Sequence, residues 1–396
     1  MLYVSYTGLA EPLGQSQIIP YLAGLSDHGH SFSIVSFEKP AAPTHSSPDE
    51  IHALLPPDTT WIPLRYHQRP SVPATTWDAL HGILSSLRTQ PCHLVHARST
   101  VPALIARAVA ARWRVPWLFD VRGFLAQEYI DAGHWPAASA LTRLTAGLEK
   151  SLLDAASGLV FLTQRAANAY EADRTWDPRP VAVIPCAVDL RRFRFDPTAR
   201  ARLREEWGFE RQKIMVYSGS LGSWYLPGEM LDFLAVARST LPDLRFLVLT
   251  PQPAIAQAEA QKRGLNHLLI VRSVTSAEVP AYLSAADFGV AFISPAPSKA
   301  ASSPTKLAEY LACGLPVVMN AGIGDLDIRR RESTWVLVDG FSSEEYARAT
   351  ERIAALLQAP DVRRAARQTA QQAFSLTEAV RRYDSTYRKL DSRGRQ

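Results

Sequence analysis

Short apolar runs alternate with longer segments of helical periodicity along most of this chain. In the first half, the runs have the length of buried strands and lie at residues 2–6, 31–37, 93–97, 117–121, 159–162 and 181–184. Segments with apolar positions three and four residues apart lie between them, among them residues 136–156. Strands that alternate with helices are typical of parallel βαβ units, so this half is predicted to form a doubly wound α/β sheet.

The same alternation restarts after a break at residues 185–197, which holds an Arg-rich turn. Further apolar runs lie at residues 214–217, 246–249, 268–271, 288–293, 317–319 and 335–338. A chain of 396 residues also exceeds the roughly 250–300 residues at which single cores stop growing. We therefore predict two Rossmann-like α/β domains, residues 1–190 and 191–375, that face a central ligand-binding crevice, and a final helix at 376–396 that crosses back to the first domain.

Two segments depart from this alternation. Residues 39–75 are rich in Pro, Ser, His and Asp and are predicted to be irregular, with a short strand near residues 61–64. Asp325 and Asp327 follow Gly324 and are predicted to cap the start of another helix rather than to bind a metal.

Composition narrows the classes of function. Hydrophobic residues make up 47% and charged residues 20% of the chain, as in an ordinary globular protein. Cys92, Cys186 and Cys313 lie far apart, so neither a disulfide framework nor a metal site is expected. No apolar run approaches the roughly 18–20 residues that span a bilayer, and the first residues lack a basic signal-peptide region, so a cytoplasmic location is expected.

The net charge of +5 is unevenly placed along the chain. Residues 1–360 hold 34 basic and 34 acidic side chains, whereas residues 361–396 hold 9 basic and 4 acidic ones. A nucleic-acid binder spreads Lys and Arg over a binding face, so nucleic acid is not an expected partner. The excess instead favours peripheral contact of the last helix with an anionic membrane surface. The basic residues of that helix are Arg381, Arg382, Arg388, Lys389, Arg393 and Arg395.

A short predicted helix in the second half carries the most informative chemistry. Ser303 is expected as its N-cap, Pro304 at its first position and Gly314 just beyond its end. The free amide groups and the positive dipole at such a helix start bind phosphate, and Lys306, which opposes the dipole, indicates a bound anion. Glu309 lies on the same face, where its carboxylate accepts hydrogen bonds from ribose or sugar hydroxyls. The alternative is a surface ion pair of Lys306 with Glu309, in which Ser303 is only a cap.

Residues 304–318 resemble the nucleotide-sugar signature of the retaining family 4 glycosyltransferases, which have the GT-B fold. Other stretches resemble the family in the same order along the chain, at residues 183–193, 216–221 and 279–287. The resemblance covers essentially the whole chain. It implies a metal-independent hexosyltransferase without a cofactor, which uses a nucleotide-diphosphate sugar as donor and retains the anomeric configuration.

The resemblance also implies where the donor binds. In the first domain, Gly14 and Gln15 lie in the loop after the first strand, where relatives bring backbone amides to the donor phosphate or to the acceptor. Lys306 and Glu309 are expected to be catalytic as well as donor-binding. The expected donor-binding residues are Gly14, Gln15, Ser218, Gly219, Ser220, Ser303, Pro304, Thr305, Lys306, Leu307 and Glu309.

Two departures from the family pattern concern the donor sugar. Relatives commonly have two glutamates separated by seven residues, and Ala301 stands where the first would lie. The glycine turn at Gly219 leads to Trp224 and Tyr225 rather than to the Arg and Lys that many relatives present to the diphosphate. Lys306 is the expected substitute cation.

Charged residues follow two predicted strands of the first domain. Asp120, Arg122 and then Glu128 follow the run at 117–121, and Arg98 follows the run at 93–97. Asp120 is a candidate catalytic group. Two guanidinium groups beside a carboxylate suit an anionic acceptor such as a lipid diphosphate-linked sugar, so Arg98, Arg122 and Glu128 are predicted to bind the acceptor. The alternative is a structural ion pair of Arg122 with Asp120.

The expected function is transfer of a sugar to a glycan or lipid-linked acceptor, in cell-envelope or exopolysaccharide biosynthesis at the inner face of the membrane. Two alternatives stay open at this point. One is a nucleotide-sugar 2-epimerase on the same fold. The other is a non-catalytic sugar-nucleotide-binding scaffold, because the first glutamate is missing at Ala301.

Overall fold

The chain forms two compact units. The computed structural model describes residues 1–40, 45–172, 179–222, 224–328 and 333–394. The first unit comprises Met1–Pro185, Ala300–Ser302 and Leu376–Gln396, and the second comprises Cys186–Lys299 and Ser303–Ser375.

The first unit is a parallel sheet with helices along the chain between its strands. Its strands are β1 (Leu2–Ser5), β2 (Ser33–Glu38), β3 (Thr60–Arg65), β4 (Val95–Arg98), β5 (Trp117–Val121), β6 (Gly158–Phe161) and β7 (Val181–Val183). Its helices are α1 (Pro12–Gln17), α2 (Ile19–Asp27), α3 (Pro48–Leu54), α4 (Ser71–Leu87), α5 (Thr100–Trp113), α6 (Leu125–Asp131), α7 (Ala140–Ala155), α8 (Gln164–Ala172) and α16 (Leu376–Gly394). In space, the strands of the described residues follow the order β3-β2-β1-β4-β5-β6-β7.

The second unit repeats this architecture. Its strands are β8 (Ile214–Ser218), β9 (Arg245–Leu249), β10 (Leu269–Arg272), β11 (Phe288–Ala291), β12 (Val317–Asn320) and β13 (Trp335–Val338). Its helices are α9 (Pro197–Trp207), α10 (Pro227–Ala237), α11 (Pro253–Lys262), α12 (Val279–Ala285), α13 (Thr305–Ala312), α14 (Ser343–Gln358) and α15 (Val362–Ala373). The strand order in the described residues is β10-β9-β8-β11-β12-β13, all parallel. The predicted fold class, two doubly wound α/β sheets in tandem, is therefore confirmed.

Both faces of each sheet are covered, which explains why the strands are continuous apolar runs. In β8, Ile214 and Val216 pack in one apolar cluster with Leu307 of α13. Met215 and Tyr217, which point to the opposite face of the strand, pack in a second cluster. Helix α13 is thus fixed to the sheet by its buried face.

The strand order places two loops in each unit where ligands of such sheets bind. The order reverses between β1 and β4 in the first sheet and between β8 and β11 in the second. Open α/β sheets bind ligands beyond the carboxyl ends of the strands at this reversal. Arg98 ends β4, and Gly219 directly follows β8. The chain after β11 leads into α13, so this helix starts near the reversal of the second sheet.

The last helix, α16, packs within the first unit. Five of its residues at helical spacing are buried, namely Ala379, Val380, Tyr383, Tyr387 and Leu390. Helix α16 lies against α2, and Gly24 of α2 leaves room for Val380, because a Cβ at Gly24 would lie 2.7 Å from a methyl group of Val380.

Two local predictions are wrong. Within residues 39–75, α3 and the start of α4 are helical. Helix α3 begins with a capping box in which the Ser47 hydroxyl accepts from the Glu50 amide and the Glu50 carboxylate accepts from the Ser47 amide. Residues 41–44 lie outside the described residues. The described residues that follow Gly324 form turns rather than a helix, because the Asp327 carboxylate accepts a hydrogen bond from the Gly322 amide (3.1 Å) and closes the loop on itself.

The packing of Tyr310 across β11 generates a stability prediction. A Cβ at Gly289 would lie 2.3 Å from the Tyr310 ring, and the Tyr310 hydroxyl accepts a hydrogen bond from the Ser218 amide (2.7 Å). We expect Gly289→Ala to displace this ring and to lower the free energy of unfolding by about 1–3 kcal/mol. Urea-induced unfolding measures the change.

The matched control is Gly147→Ala on α7, where an added Cβ meets nothing within 4 Å. Because alanine is the better helix former, this variant is expected to gain about 0.5–1 kcal/mol. A Gly289→Ala protein as stable as the wild type would contradict the tight packing of Tyr310.

Candidate functional site

Helix α13 has a glycine cap at its C-terminus and no side-chain cap at its N-terminus. At its end, Gly314 adopts a φ of +77°, as glycine commonly does after a helix. At its start, Pro304 is the N-cap residue and makes no side-chain hydrogen bond to the first-turn amides. The predicted N-cap role of Ser303 is wrong, because the Ser303 hydroxyl instead accepts a hydrogen bond from the Cys186 amide (3.0 Å). The positive end of the helix dipole therefore has no acceptor from a capping side chain.

The ammonium group of Lys306 lies against the rings of two tyrosines. Its Nζ is 3.2 Å from the ring centre of Tyr225 and 4.9 Å from that of Tyr217. Lys306 is only 5% exposed, and this burial lowers the pKa of its ammonium group to about 7, with the charge of Glu309 opposing the shift. A buried cation at a helix start has a high cost unless an anion accompanies it, so this group is suited to binding a phosphate.

A second lysine lies on the other aromatic residue of the same loop. The Nζ of Lys299 is 3.6 Å from the ring centre of Trp224. The sequence identified Trp224 and Tyr225 only as departures from a basic pair. Spacing alone gives no signal that aromatic rings at these positions hold lysines from a later part of the chain.

The glycine turn after β8 leaves room for Lys306. Gly219 has a φ of +135°, and a Cβ there would lie 3.3 Å from the Lys306 Nζ. The amides of Ser218 and Gly219 donate within the unit, and the Ser220 carbonyl accepts from the Tyr217 hydroxyl (2.5 Å). The structure therefore places Gly219 beside Lys306, where the missing side chain leaves space, and it connects Ser218 to Tyr310 of α13.

Glu309 is half-buried one turn into the helix. Burial raises the pKa of its carboxyl group, while the charges of Lys306 and Arg192 lower it. Arg192 donates hydrogen bonds to the carbonyl and hydroxyl oxygens of Ser276, which orients its guanidinium group. Of the other predicted donor residues on α13, Thr305 is partly exposed, whereas the side chain of Leu307 packs in the core.

The first unit brings Asp120 and Arg122 together at the end of β5. Asp120 Oδ1 lies 3.5 Å from Arg122 Nη1, and Asp120 is only 1% exposed. Burial alone would raise the pKa of Asp120, but the charge of Arg122 and the contact with His96 outweigh it and lower the pKa to about 2. Arg98 is also buried and donates to the Thr7 hydroxyl (3.4 Å). Asp120 thus lies beneath the surface in contact with Arg122, and its catalytic role stays a prediction.

The sequence did not identify the partners that hold Asp120 from the other side. Tyr383 of α16 donates a hydrogen bond to Asp120 Oδ2 (3.1 Å), and His96 Nε2 lies 3.6 Å from the same oxygen. His96 Nδ1 is hydrogen-bonded to the Tyr387 hydroxyl at 2.6 Å. Burial lowers the pKa of His96, so its imidazole is neutral at neutral pH. Helical spacing predicts that both tyrosines are buried but not which groups they contact.

The loop after β1 is closed by carboxylates of the chain itself. The Glu38 carboxylate accepts from the Leu9 and Ala10 amides (2.9 and 3.1 Å), and the Glu11 carboxylate accepts from the Gly8 amide. A Cβ at Gly14 would lie 2.1 Å from the Gly8 carbonyl oxygen. Gln15 donates to the Ala10 carbonyl (2.9 Å). Gly14 and Gln15 therefore brace this loop, and their contact with a donor stays a prediction.

The loop after β5 is closed in a similar way. The Glu149 carboxylate accepts from the Leu125 and Ala126 amides at the start of α6. Glu128 lies against Gly123, where a Cβ would be 2.3 Å from the Glu128 carboxylate. A side chain at position 123 would therefore displace the Glu128 carboxylate, and the role of Glu128 in acceptor binding stays a prediction.

No group of three or more His, Cys, Asp or Glu side chains in the part of the chain that the structure describes is arranged to hold a metal ion. No helix among those residues combines the length and the apolar character that crossing a bilayer requires.

Two family models match the chain in sequence. The model described as a glycosyl transferase 4-like domain matches residues 20–187, and the model described as glycosyl transferases group 1 matches residues 199–373. The first match covers most of the first α/β half and the second most of the second half, and together they cover 343 of the 396 residues.

The D-inositol 3-phosphate glycosyltransferase of Segniliparus rotundus is 27% identical over 284 residues, which are 69% of this chain and 60% of that protein. The chain thus spans about 60% of the length of this curated relative.

Two solved structures share the fold. The sucrose-phosphate synthase of Thermosynechococcus elongatus superposes with a TM-score of 0.73 at 19% identity, over 99% of this chain and 98% of that one. Anabaena HepE in complex with UDP and glucose superposes with a TM-score of 0.71 at 13% identity, over 98% of each chain.

The buried Lys306 generates a prediction of pH-dependent stability. Because its pKa is about 7 in the folded chain and near the ordinary 10.5 in the unfolded chain, the unfolded state binds more protons between these values. The free energy of unfolding of the wild type should therefore rise with pH across this window, and Lys306→Met should remove that part of the slope, up to about 1.4 kcal/mol per pH unit. Urea unfolding at pH 7, 8 and 9 measures the slopes.

The same variant should be more stable than the wild type at pH 7, because methionine fills a similar volume without a charge. Lys262→Met, at an exposed lysine of α11, serves as the control and should leave the slope unchanged. Parallel slopes for the wild type and Lys306→Met would show that the ammonium group is not desolvated.

Proposed function

Since the chain belongs to the group 1 glycosyltransferases of the GT-B fold, we propose that it transfers a sugar from a nucleotide-diphosphate sugar to a glycan or lipid-linked acceptor with retention of configuration. The family resemblance read from residues 304–318 is thereby confirmed at the level of the family. The donor, the acceptor and the stereochemistry are parts of the proposal.

The buried ammonium of Lys306 at the uncapped start of α13 is the observation that carries the proposal. Both the helix start and the lysine attract an anion, and neither has a carboxylate as hydrogen-bond partner among the described residues. A diphosphate satisfies both at once. UDP, which the Anabaena protein binds, is a ligand of this class and supports the choice of a nucleoside diphosphate.

The proposed chemistry depends on the leaving group. The bond between the anomeric carbon and the diphosphate oxygen breaks through an oxocarbenium-like state, and the acceptor hydroxyl forms its bond to the same face while its proton passes to the departing phosphate. Negative charge develops on the diphosphate, where Lys306 and the start of α13 stabilise it. Glu309 accepts hydrogen bonds from ribose or sugar hydroxyls and so positions the donor.

The missing first glutamate bears on donor choice. Ala301, at its place, is 7% exposed and belongs to the apolar cluster of the first unit. A carboxylate at this position would be buried among apolar side chains, which is unfavourable. We infer that sugar recognition uses other groups, so the donor differs from those of relatives that have both glutamates.

The acceptor is proposed to be anionic. Arg122 is partly exposed and held by Asp120, and Arg98 ends the neighbouring strand β4. Guanidinium groups held in this way suit the diphosphate of a lipid-linked sugar. This acceptor class supports a role in envelope or exopolysaccharide synthesis, with the protein in the cytoplasm and peripheral at the inner membrane face.

Nucleotide release from a panel of nucleotide sugars, with and without lipid-linked acceptors, tests the proposal. Release that requires acceptor, together with a product of unchanged anomeric configuration by NMR, supports retaining transfer. Free sugar isomers without acceptor would indicate the epimerase, and binding without turnover would indicate the scaffold.

Two substitutions test the site itself. We expect Lys306→Ala and Glu309→Ala each to reduce turnover by more than about tenfold, or ~1.4 kcal/mol of transition-state stabilisation, because the first removes the cation at the leaving group and the second the carboxylate that orients the donor. Initial rates at saturating acceptor give the measurement.

Helix α11 offers a matched pair of controls, because Lys262 and Glu259 form an i,i+3 ion pair on an outer face. Alanine at either position should leave turnover unchanged. Wild-type kinetics in both Lys306→Ala and Glu309→Ala would refute the assignment of the site.

A further inference from the structure

Helix α4 of the first unit exposes several large apolar side chains on its outer face. Its apolar residues Val72, Trp77, Leu80 and Leu84 are 46, 58, 49 and 49% exposed. Trp77, Leu80 and Leu84 follow the i, i+3, i+7 spacing of a single helix face. The fully buried residues of α4 are small or polar, namely Ala74, Asp78, Gly82, Ser85 and Ser86, and Ala79, Ile83 and Leu87 pack partly buried against the core. Water is an unfavourable solvent for such an outer face, so this face is suited to an apolar partner.

The segment between Asp58 and Asp120, which contains this helix, exposes basic but no acidic side chains. Between Asp58 and Asp120 the only acidic residue is Asp78, which is fully buried and accepts hydrogen bonds from Tyr6 and from the backbone amide of His67. Helix α5, which packs against α4, has no acidic residue. The exposed arginines of this segment are Arg65, Arg69, Arg88, Arg107, Arg112 and Arg114.

We propose that the outer face of α4, made by Val72, Trp77, Leu80 and Leu84, docks the protein on an anionic phospholipid surface. The four side chains enter the boundary between headgroups and acyl chains, and the surrounding arginines contact the lipid phosphates. Trp77 has the amphipathic ring that is favoured at this depth. The inference rests on the proposed location at the membrane face and names the surface that docks there, and its test requires neither donor nor acceptor.

The size and charge of the face favour a membrane over a second copy of the chain. A helix of 17 residues is about 25 Å long and roughly 10 Å across, so its outer half presents on the order of 400 Å². A stable protein–protein interface buries about 800 Å² on each partner. Two copies would also bring six exposed arginines of each chain towards one another without acidic partners, whereas an anionic bilayer neutralises them.

The basic residues of α16 are less suited to this role. Arg382 donates to Glu378 (3.0 Å) and to the Val183 carbonyl, and Arg388 donates to both oxygens of Asp384. Arg381 lies 4.0 Å from Glu378. The Arg393 side chain and Arg395 lie outside the described residues. Contact of this helix with lipid stays a prediction, and the experiment below compares the two surfaces.

Co-sedimentation of the full-length chain with phosphatidylglycerol and with phosphatidylcholine vesicles tests the proposal. The wild type should bind phosphatidylglycerol vesicles, more weakly at high salt, and should bind phosphatidylcholine vesicles poorly. Leu80→Gln with Leu84→Gln should weaken binding by more than about tenfold, because both apolar side chains leave the bilayer boundary. Equal thermal melting of this double variant and the wild type verifies that the fold is intact.

Two control variants sharpen the result. Leu144→Gln with Ile255→Gln removes two exposed apolar side chains from α7 and α11 and should leave vesicle binding unchanged. Arg381→Gln with Lys389→Gln removes charge from α16 and should have less effect than Arg88→Gln with Arg112→Gln. Brominated lipids should quench part of the tryptophan fluorescence of the wild type, and Trp77→Phe should abolish that quenching.

Three outcomes would overturn the proposal. One is unchanged vesicle binding of the Leu80→Gln, Leu84→Gln variant. Another is loss of binding only when the basic residues of α16 are replaced, which would assign docking to that helix. The third is a wild-type dimer that the double variant converts to a monomer without any binding to vesicles, which would assign the face to a second copy.

Discussion

The Lys306 ammonium, 3.2 Å from the Tyr225 ring centre and only 5% exposed, is the group around which the candidate site of the second unit is arranged. A desolvated cation at the start of a helix is unfavourable in two ways, through burial and through the helix dipole. The residues around the Lys306 ammonium leave space for it but do not neutralise its charge. Tyrosine faces attract it weakly, and Gly219 leaves space beside it. An anion bound beside Lys306 would offset the cost of this buried charge, and a nucleoside diphosphate is an anion of this kind.

In the first unit, carboxylates of the chain itself accept hydrogen bonds from backbone amides in two segments. Glu38 accepts from two amides of the loop after β1, and Glu149 accepts from the first two amides of α6. These carboxylates occupy the positions that a ligand anion would take. The hydroxyl of Ser303 could have capped α13 in the same manner, yet it accepts from the Cys186 amide. The starts of α1, α4 and α5 in the first unit also have no capping side chain, so the start of α13 differs from them in the buried Lys306 of its first turn.

Equal numbers of basic and acidic residues along the chain do not imply an even distribution of charge on its surface. Residues 1–360 have equal numbers of basic and acidic side chains, which directs attention to the last helix. In the folded chain, arginines of that helix are paired with Glu378 and Asp384. The one acidic residue between Asp58 and Asp120 is buried, so the exposed charges of α5 and of the residues that flank α4 are those of arginines. Burial of Asp78 thus gives the first unit a basic surface beside an exposed apolar helix face, a combination that the count along the chain does not show.

The sequence by itself determined the two α/β sheets, the family, and the position of Lys306 and Glu309 on one short helix, because these follow from periodicities and spacings within short segments. It missed the capping box at Ser47, a local pattern that was available to it. Only the tertiary structure decided that Asp120 is buried in contact with Tyr383 and His96, that Tyr225 lies on Lys306, and that α4 exposes Trp77, Leu80 and Leu84. These facts depend on contacts between residues far apart in the chain. Local periodicity predicts that a helix has an apolar face. Packing against the rest of the fold determines whether that face lies in the core or is exposed to solvent.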